Sequence, residues 1–454
     1  MKMVITKPIR KWLVTAAAFC LTMGMNAAQA VVDGVTSATN TFDLVADQTH
    51  ITTPDGDSVL IWAYGIDGKP VQYPGPTLIV NEGDLVKVTL RNKLPEDASI
   101  LFPGQTNVSA TGGGVTPGIM GPEAIADNGQ TKVTYTFRAD HAGTFMYHSG
   151  SHMDLQIEMG LVGALIVRPK DHLRWAYNHP STVFDHEYLF MLTEMNPDLH
   201  DMVDFGETDK IDTTGYKPVL WFINGRNGPD TLYQSNAPWM PNQPYGSLAR
   251  AHPGETVLIR LISMGRDGHP FHTHGNNFHI IGRDGSMLTS DPLIGPDLME
   301  EDYTLLVQPK TTYDALFSWT GDGMNWDFYG HVCPNNDPAH PDAPAAITYP
   351  VNSTYGTRDA AQPGVYVEDA DSHCKPFPVS QADSIDVAFG GFYSGSPFLG
   401  AMGSLPVGEG GLNINGGMFF MWHSHTEMEL NNNDIFPGGM MTMFVVEPPG
   451  VPIP

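Results

Sequence analysis

Short runs of apolar, often β-branched residues recur along this chain and stop at Gly, Pro and Asp. Residues 78–80, 85–90, 132–137 and 161–167 read as strands of a first domain, and helical periodicity is scarce. The pattern predicts an all-β protein built of sandwiches. Part of it repeats. Pro74-Gly75-Pro76-Thr77 leads through a Gly83-Asp84 turn into an alternating strand that ends at Asn92, and His252-Pro253-Gly254-Glu255 leads into one that ends at Ser263. Such repetition is consistent with a duplicated sandwich. Roughly 420 residues follow the N-terminal segment, more than one sandwich holds. A first domain is expected over 31–175, where Arg168-Pro169-Lys170-Asp171 breaks the pattern, and a second over 176–449. Between about 321 and 417 the chain is rich in Gly, Pro and Asp with few alternating strands. A structureless loop of that length is unusual in a compact domain, so the segment reads as an insertion or a small extra domain.

Lys2, Lys7, Arg10 and Lys11 precede an apolar run from Trp12 to Met25, and Ala28-Gln29-Ala30 is a small-X-small cleavage site. Residues 1–30 therefore read as a signal peptide cleaved near Ala30, which places the mature chain in the periplasm or outside the cell. The run is too short to span a bilayer and no later run approaches that length, so no membrane span is expected. Cleavage removes four cations and no acids, moving the formal net charge from −27 to −31. A surface this acidic repels nucleic acid and anionic lipid, which excludes both as partners; solubility alone accounts for the charge. Two cysteines remain, Cys333 and Cys374, and in an oxidising compartment they default to a disulfide worth up to ~4 kcal/mol in the chain-entropy model. A competing reading makes His331-Val332-Cys333 a metal site.

Candidate chemistry concentrates in three histidine segments. They are 143–152, with His148 and His152; His269-Pro270-Phe271-His272-Thr273-His274-Gly275; and 418–425, with His423 and His425. Residues two apart on an extended strand project from one face about 7 Å apart, so a His-X-His pair can reach one metal or two neighbouring ones. Imidazole suits copper, zinc, iron and nickel. Met418, Met421, Met428, Met440, Met441 and Met443 either fill the core or offer thioethers to Cu(I). Asp154, Glu158, Glu427 and Glu429 lie close to candidate ligands as solvated acids, proton relays or acceptors that orient imidazoles. His279 and Trp422 read as packing residues.

Through these segments the chain resembles the multicopper oxidases, which are built from cupredoxin domains. The resemblance rests on the Pro-Gly-Pro-Thr to Gly-Asp strand, Ala142-Gly143-Thr144-Phe145-Met146-Tyr147-His148, the His269–Gly275 segment and the final His423-Ser424-His425 strand, and covers most of 45–320 and 415–449. It implies two cupredoxin-like Greek-key sandwiches, the second carrying the insertion, in the manner of the two-domain branch. That branch implies a homotrimer with copper clusters between subunits. In the family, four His-X-His pairs hold a trinuclear copper cluster that reduces dioxygen, and a blue copper held by one Cys and two His supplies electrons.

This chain departs from that pattern. Ser99-Ile100-Leu101-Phe102-Pro103 stands where the first His-X-His falls. In the second segment His152 matches the second member of its pair, Gly150 stands at the first, and His148 lies on the same face if the strand stays extended. The blue-copper Cys falls at Ser424 and the later His at Glu429, so only His269 remains of that set. The resemblance therefore implies a copper oxidoreductase outside the cytoplasm with a His-only centre of one to three ions. Its ligands would be His272, His274, His423 and His425, completed by His148 and His152, with His269 less central. Dioxygen and a small reductant would be its partners. The alternative is a non-catalytic copper-binding, sequestering or structural protein.

Overall fold

The computed structural model describes residues 31–114, 117–319, 418–447 and 452–453. The signal segment, the 321–417 insertion and its cysteines Cys333 and Cys374 lie outside the described residues.

The alternating runs fold as expected into an all-β chain. In the first half, Thr41–Thr52 lies between Ser58–Ile66 and Leu85–Asn92, and the latter continues the sheet through Lys132–Arg138 to Ser109–Gly112. Facing it is a three-stranded sheet of Gly75–Asn81, Val162–Arg168 and Gly143–His148. In the second half, a seven-stranded sheet contains Leu220–Ile223, His186–Met195, Thr256–Ser263, Thr312–Ser318 and Phe278–Arg283. Its companion runs Ala249–Ala251, Met441–Val446, Met418–Ser424, His269–Thr273 and Thr304–Val307.

The repeat seen in the sequence is structural. Leu85–Asn92 pairs parallel with Thr41–Thr52, the first strand of its half, and antiparallel with Lys132–Arg138. Thr256–Ser263 pairs parallel with His186–Met195 and antiparallel with Thr312–Ser318. Each of these central strands begins with a turn whose glycine has positive φ, Gly83 at 86° and Gly254 at 81°, a conformation that disfavours any side chain. Each glycine N–H donates across the sheet, Gly83 to Ala139 O (2.7 Å) and Gly254 to Trp319 O (2.8 Å). In each turn a carboxylate caps the N–H three residues back: Asp84 accepts from Asn81 (2.8 Å) and Glu255 from His252 (2.7 Å).

Ser58–Ile66 is apolar almost throughout because both of its faces are buried. Leu60, Trp62 and Tyr64 enter the core of the first sandwich, while Val59, Ile61 and Ala63 join Met191, Met195, Leu220, Phe222 and Ile262 of the second half. Beside this apolar seam lies an ionic one. Buried Arg260 donates through Nε to Glu187 (2.7 Å) and through Nη1 to Thr144 (2.8 Å) and Asp314 (3.1 Å). Arg168 of the first half reaches the same Glu187 at 2.6 Å. Burial works to raise the Glu187 carboxyl, but Arg260 and Arg168 outweigh it and hold it below the ordinary value.

Arg260→Met leaves Glu187 and Asp314 short of their shared cation in a buried site. Removing one partner of a buried pair costs about 3–5 kcal/mol. The urea midpoint should fall accordingly, with the denaturant slope unchanged. Because the folded Glu187 pKa lies below its unfolded value, its contribution is present above the ordinary carboxylate range and is lost as pH falls through the folded value. The difference between wild type and variant should therefore narrow in acid, as urea titrations at several pH values would show.

Candidate metal centre

Strands His269–Thr273 and Met418–Ser424 pair antiparallel, with Phe271 opposite Ser424, His272 opposite His423 and Thr273 opposite Trp422. The pleat sends alternate side chains to opposite faces. Phe271 and Trp422 go to the core, where Trp422 stacks on Phe444 at 4.9 Å between ring centroids. His272 and His423 project from the other face. The pairing extends past the strand ends, as His274 N–H donates to Met421 O (3.2 Å) and His425 N–H to Pro270 O (2.7 Å). Trp422 also donates from Nε1 to His274 O (3.1 Å), tying the core to the backbone of a candidate ligand.

Four imidazoles gather on that face. Ring centroids lie 4.8 Å apart for His272 and His274, 5.4 Å for His272 and His423, 5.3 Å for His274 and His423, and 4.6 Å for His272 and His425. One nitrogen from each of His272, His274 and His423 falls within 4.8 Å of the others. His425 stands at the solvent edge of the group. His272 Nδ1 donates to Tyr303 O (2.8 Å) beside Thr304 Oγ1 (2.7 Å), and His423 Nδ1 donates to Ser424 O (2.5 Å). These bonds leave each Nε2 as a lone-pair donor. Burial, then the neighbouring imidazoles, hold His272 down at about 3. Burial also leads at His423, which sits at about 4. Both rings are therefore neutral at physiological pH, the form in which imidazole binds a metal. By these tests the donor set fits copper.

His269 belongs to a different environment. It shares the inward parity of Phe271 and is fully buried. Its Nε2 lies 2.9 Å from Glu194 Oε2 and its Nδ1 lies 3.0 Å from Glu429 Oε2. Burial works to lower its pKa, but the hydrogen bonds and charges of the two acids outweigh it and raise the ring to about 9. An imidazolium spanning two carboxylates has no lone pair for a metal. Ser424, where the resemblance puts a thiolate, is a buried hydroxyl that accepts from Thr426 N–H (3.1 Å).

The first-half histidines are held apart from this group. His148 ends its strand buried, with Nδ1 on Ser149 O (2.8 Å), and burial lowers its pKa. The chain does not stay extended beyond it. His152 has φ 37° at the start of the short helix Met153–Gln156 and is half-exposed, with Nδ1 2.9 Å from Glu96 Oε2. Among the described residues neither joins a group of three metal-type donors. Asp154 is exposed, with Thr213 Oγ1 3.3 Å away, and Glu427 is exposed in the turn Glu427–Leu430. Glu158 is buried against Asn196 N (2.7 Å) and His200 rather than a candidate ligand. Sequence reasoning missed Glu194 and the contacts of His272 with Tyr303 O and Thr304 Oγ1. The available signal for Glu194 was an acid near the end of the largely apolar strand His186–Met195, which also carries Glu187.

Two multicopper oxidase family profiles match the chain, one over residues 49–172 and one over 212–332. A copper-containing nitrite reductase of Alcaligenes xylosoxydans xylosoxydans is 36% identical over 279 residues, covering 59% of this chain and 75% of the reductase. A probable nitrite reductase-hydroxylamine oxidoreductase fusion protein of Kuenenia stuttgartiensis is 29% identical over 223 residues, 48% of this chain, and the match spans only 22% of that longer protein. Among solved structures, a blue copper oxidase from Nitrosomonas europaea superposes with a TM-score of 0.51 at 18% identity, covering 89% of this chain and 85% of the other, which supports the cupredoxin-like fold. With both halves matched by family profiles and three-quarters of a curated nitrite reductase covered, this chain belongs to the multicopper oxidase family of copper proteins.

Proposed function

We propose that this protein is a copper oxidoreductase with a His-only centre and no blue copper, acting outside the cytoplasm after loss of its N-terminal segment. The observation that carries this reading is the convergence of one imidazole nitrogen from each of His272, His274 and His423 within 4.8 Å, with His272 and His423 held neutral by burial and their neighbours. Copper bound there would supply one-electron cycling between Cu(I) and Cu(II). The chain's own contribution is to fix the ring tautomers through Tyr303 O and Ser424 O and to keep the rings unprotonated. His425, at the solvent edge, is suited to meet a small reductant or an oxidant. Dioxygen is one acceptor to test, and nitrite is another, given the reductase relatives. A homotrimer would let His148 and His152 of one copy approach the centre of the next.

A second reading, copper binding without turnover, is favoured by His269. The single histidine left of the family's electron-input site is committed to Glu194 and Glu429. Turnover assays on phenols, Cu(I), Fe(II) and Mn(II), with dioxygen or nitrite as acceptor, separate the two readings.

Copper titration of the mature protein should give bound copper without an intense thiolate band, and His272→Ala with His423→Ala should abolish retention. Unchanged copper content in that double variant would sink the assignment. His269 gives an independent check. With a folded pKa of about 9 against an ordinary 6.5, its pairing stabilises fully below the unfolded value and is lost as pH rises through about 9. Glu429→Gln should bring the His269 titration back toward neutrality, read by the ring resonances in NMR. A wild-type ring already neutral at pH 7.5 would refute the imidazolium assignment.

A further inference from the structure

We infer that the second sandwich carries a separate divalent-metal site of the zinc class, built from His186, His252 and Glu255. It is independent of the copper reading. His186 opens the strand His186–Met195 and lies in parallel register with Val257, at the start of Thr256–Ser263. Glu255 and His252 close the turn that leads into that second strand. His186 Nε2 lies 2.7 Å from Glu255 Oε2, and His252 Nδ1 lies 3.1 Å from the same oxygen. All three donor atoms fall within 4.8 Å of one another.

Ligand atoms 2.0–2.1 Å from a tetrahedral zinc are roughly 3.3 Å apart, so the triad needs only small adjustments and loss of the two ring protons to hold the ion. Two imidazoles and one carboxylate also match the ligand count of an open zinc site, with a water in the fourth position. His186 is 3% exposed through its side chain, while His252 and Glu255 are 21% and 17% exposed, so the site has one buried ligand and two that solvent can reach. The frame is braced. Tyr188 Oη donates to Arg250 O (2.7 Å) and accepts from Arg250 N–H (2.9 Å), and Asp185 accepts from Thr256 N–H (2.9 Å) while pairing with Arg174.

The duplicated architecture supplies an internal control. The first sandwich builds the same turn, with the same glycine geometry and the same carboxylate cap, from Asn81 and Asp84. There the position corresponding to His186, one step before the Thr41–Lys87 pair, is Asn40. The turn therefore folds without imidazoles, and the two histidines of the second copy are surplus to its backbone requirements. This triad shares no residue with the histidine group, and its strands belong to the seven-stranded sheet, whereas His272 and His423 lie in the five-stranded one.

The test uses the full mature chain and zinc alone. In the His272→Ala, His423→Ala background, equilibrium dialysis should retain one zinc per chain, and zinc should raise Tm. Adding His252→Ala should remove both the ion and the Tm shift, while leaving the metal-free Tm close to its parent. Glu255→Gln, which keeps the shape of the cap, should weaken zinc binding at least tenfold. In the otherwise wild-type chain, His252→Ala should lower the zinc count by one. X-ray absorption should show a shell of N and O donors near 2.0 Å. Absence of zinc in the parent double variant, or zinc retained unchanged after His252→Ala, would overturn the proposal.

Discussion

The pleat of two paired strands governs the candidate centre. With His272 opposite His423, every second side chain on each strand goes to the core and every other one to the opposite face. Phe271, Trp422 and Ser424 anchor the pair from below, and the histidines share the upper face. A slip of one residue in this register would bury four imidazoles and expose Phe271 and Trp422. The apolar anchor and the histidine group are thus one constraint seen from two sides. Hydrophobic burial on the lower face is what holds the polar rings in position on the upper one.

The same parity sorts charge. His269 and His272 lie three residues apart on one strand yet sit at about 9 and about 3. Both are buried, and burial lowers both. What separates them is company. His269 points inward between two carboxylates, and His272 points to a face where its neighbours are other imidazoles and a carbonyl. A fixed cation and a lone-pair donor result from one residue type placed on opposite faces of a strand.

Much of this was legible in the chain. Two-residue spacing told which histidines share a face, and the spacing held for His272, His274, His423 and His425 because their strands stay extended. It failed for His148 and His152, where a left-handed residue turns the backbone and breaks the period of two. The repeated Gly-acid turn was visible as a pattern, and the structure gives its cause in a positive-φ glycine and a carboxylate cap. Partners supplied from distant strands were not legible. Glu194 meets His269 across 75 positions, and His186 meets Glu255 across 69; only tertiary pairing brings such groups together. Local pattern carries no information about which strand will lie beside which.

The doubly buried strand Ser58–Ile66 has a consequence for how such a protein can be divided. One row of its side chains completes the first sandwich and the other row completes a seam with the second. Met146 and Tyr147, neighbours on the strand that ends at His148, are divided the same way. The first sandwich is therefore not a detachable bead on a string. Cut free, it would present a continuous apolar wall of the sort that drives aggregation. Recombination or truncation at the junction near Arg168 would break an interior rather than a linker, so the two halves are bound to be inherited, and to unfold, together.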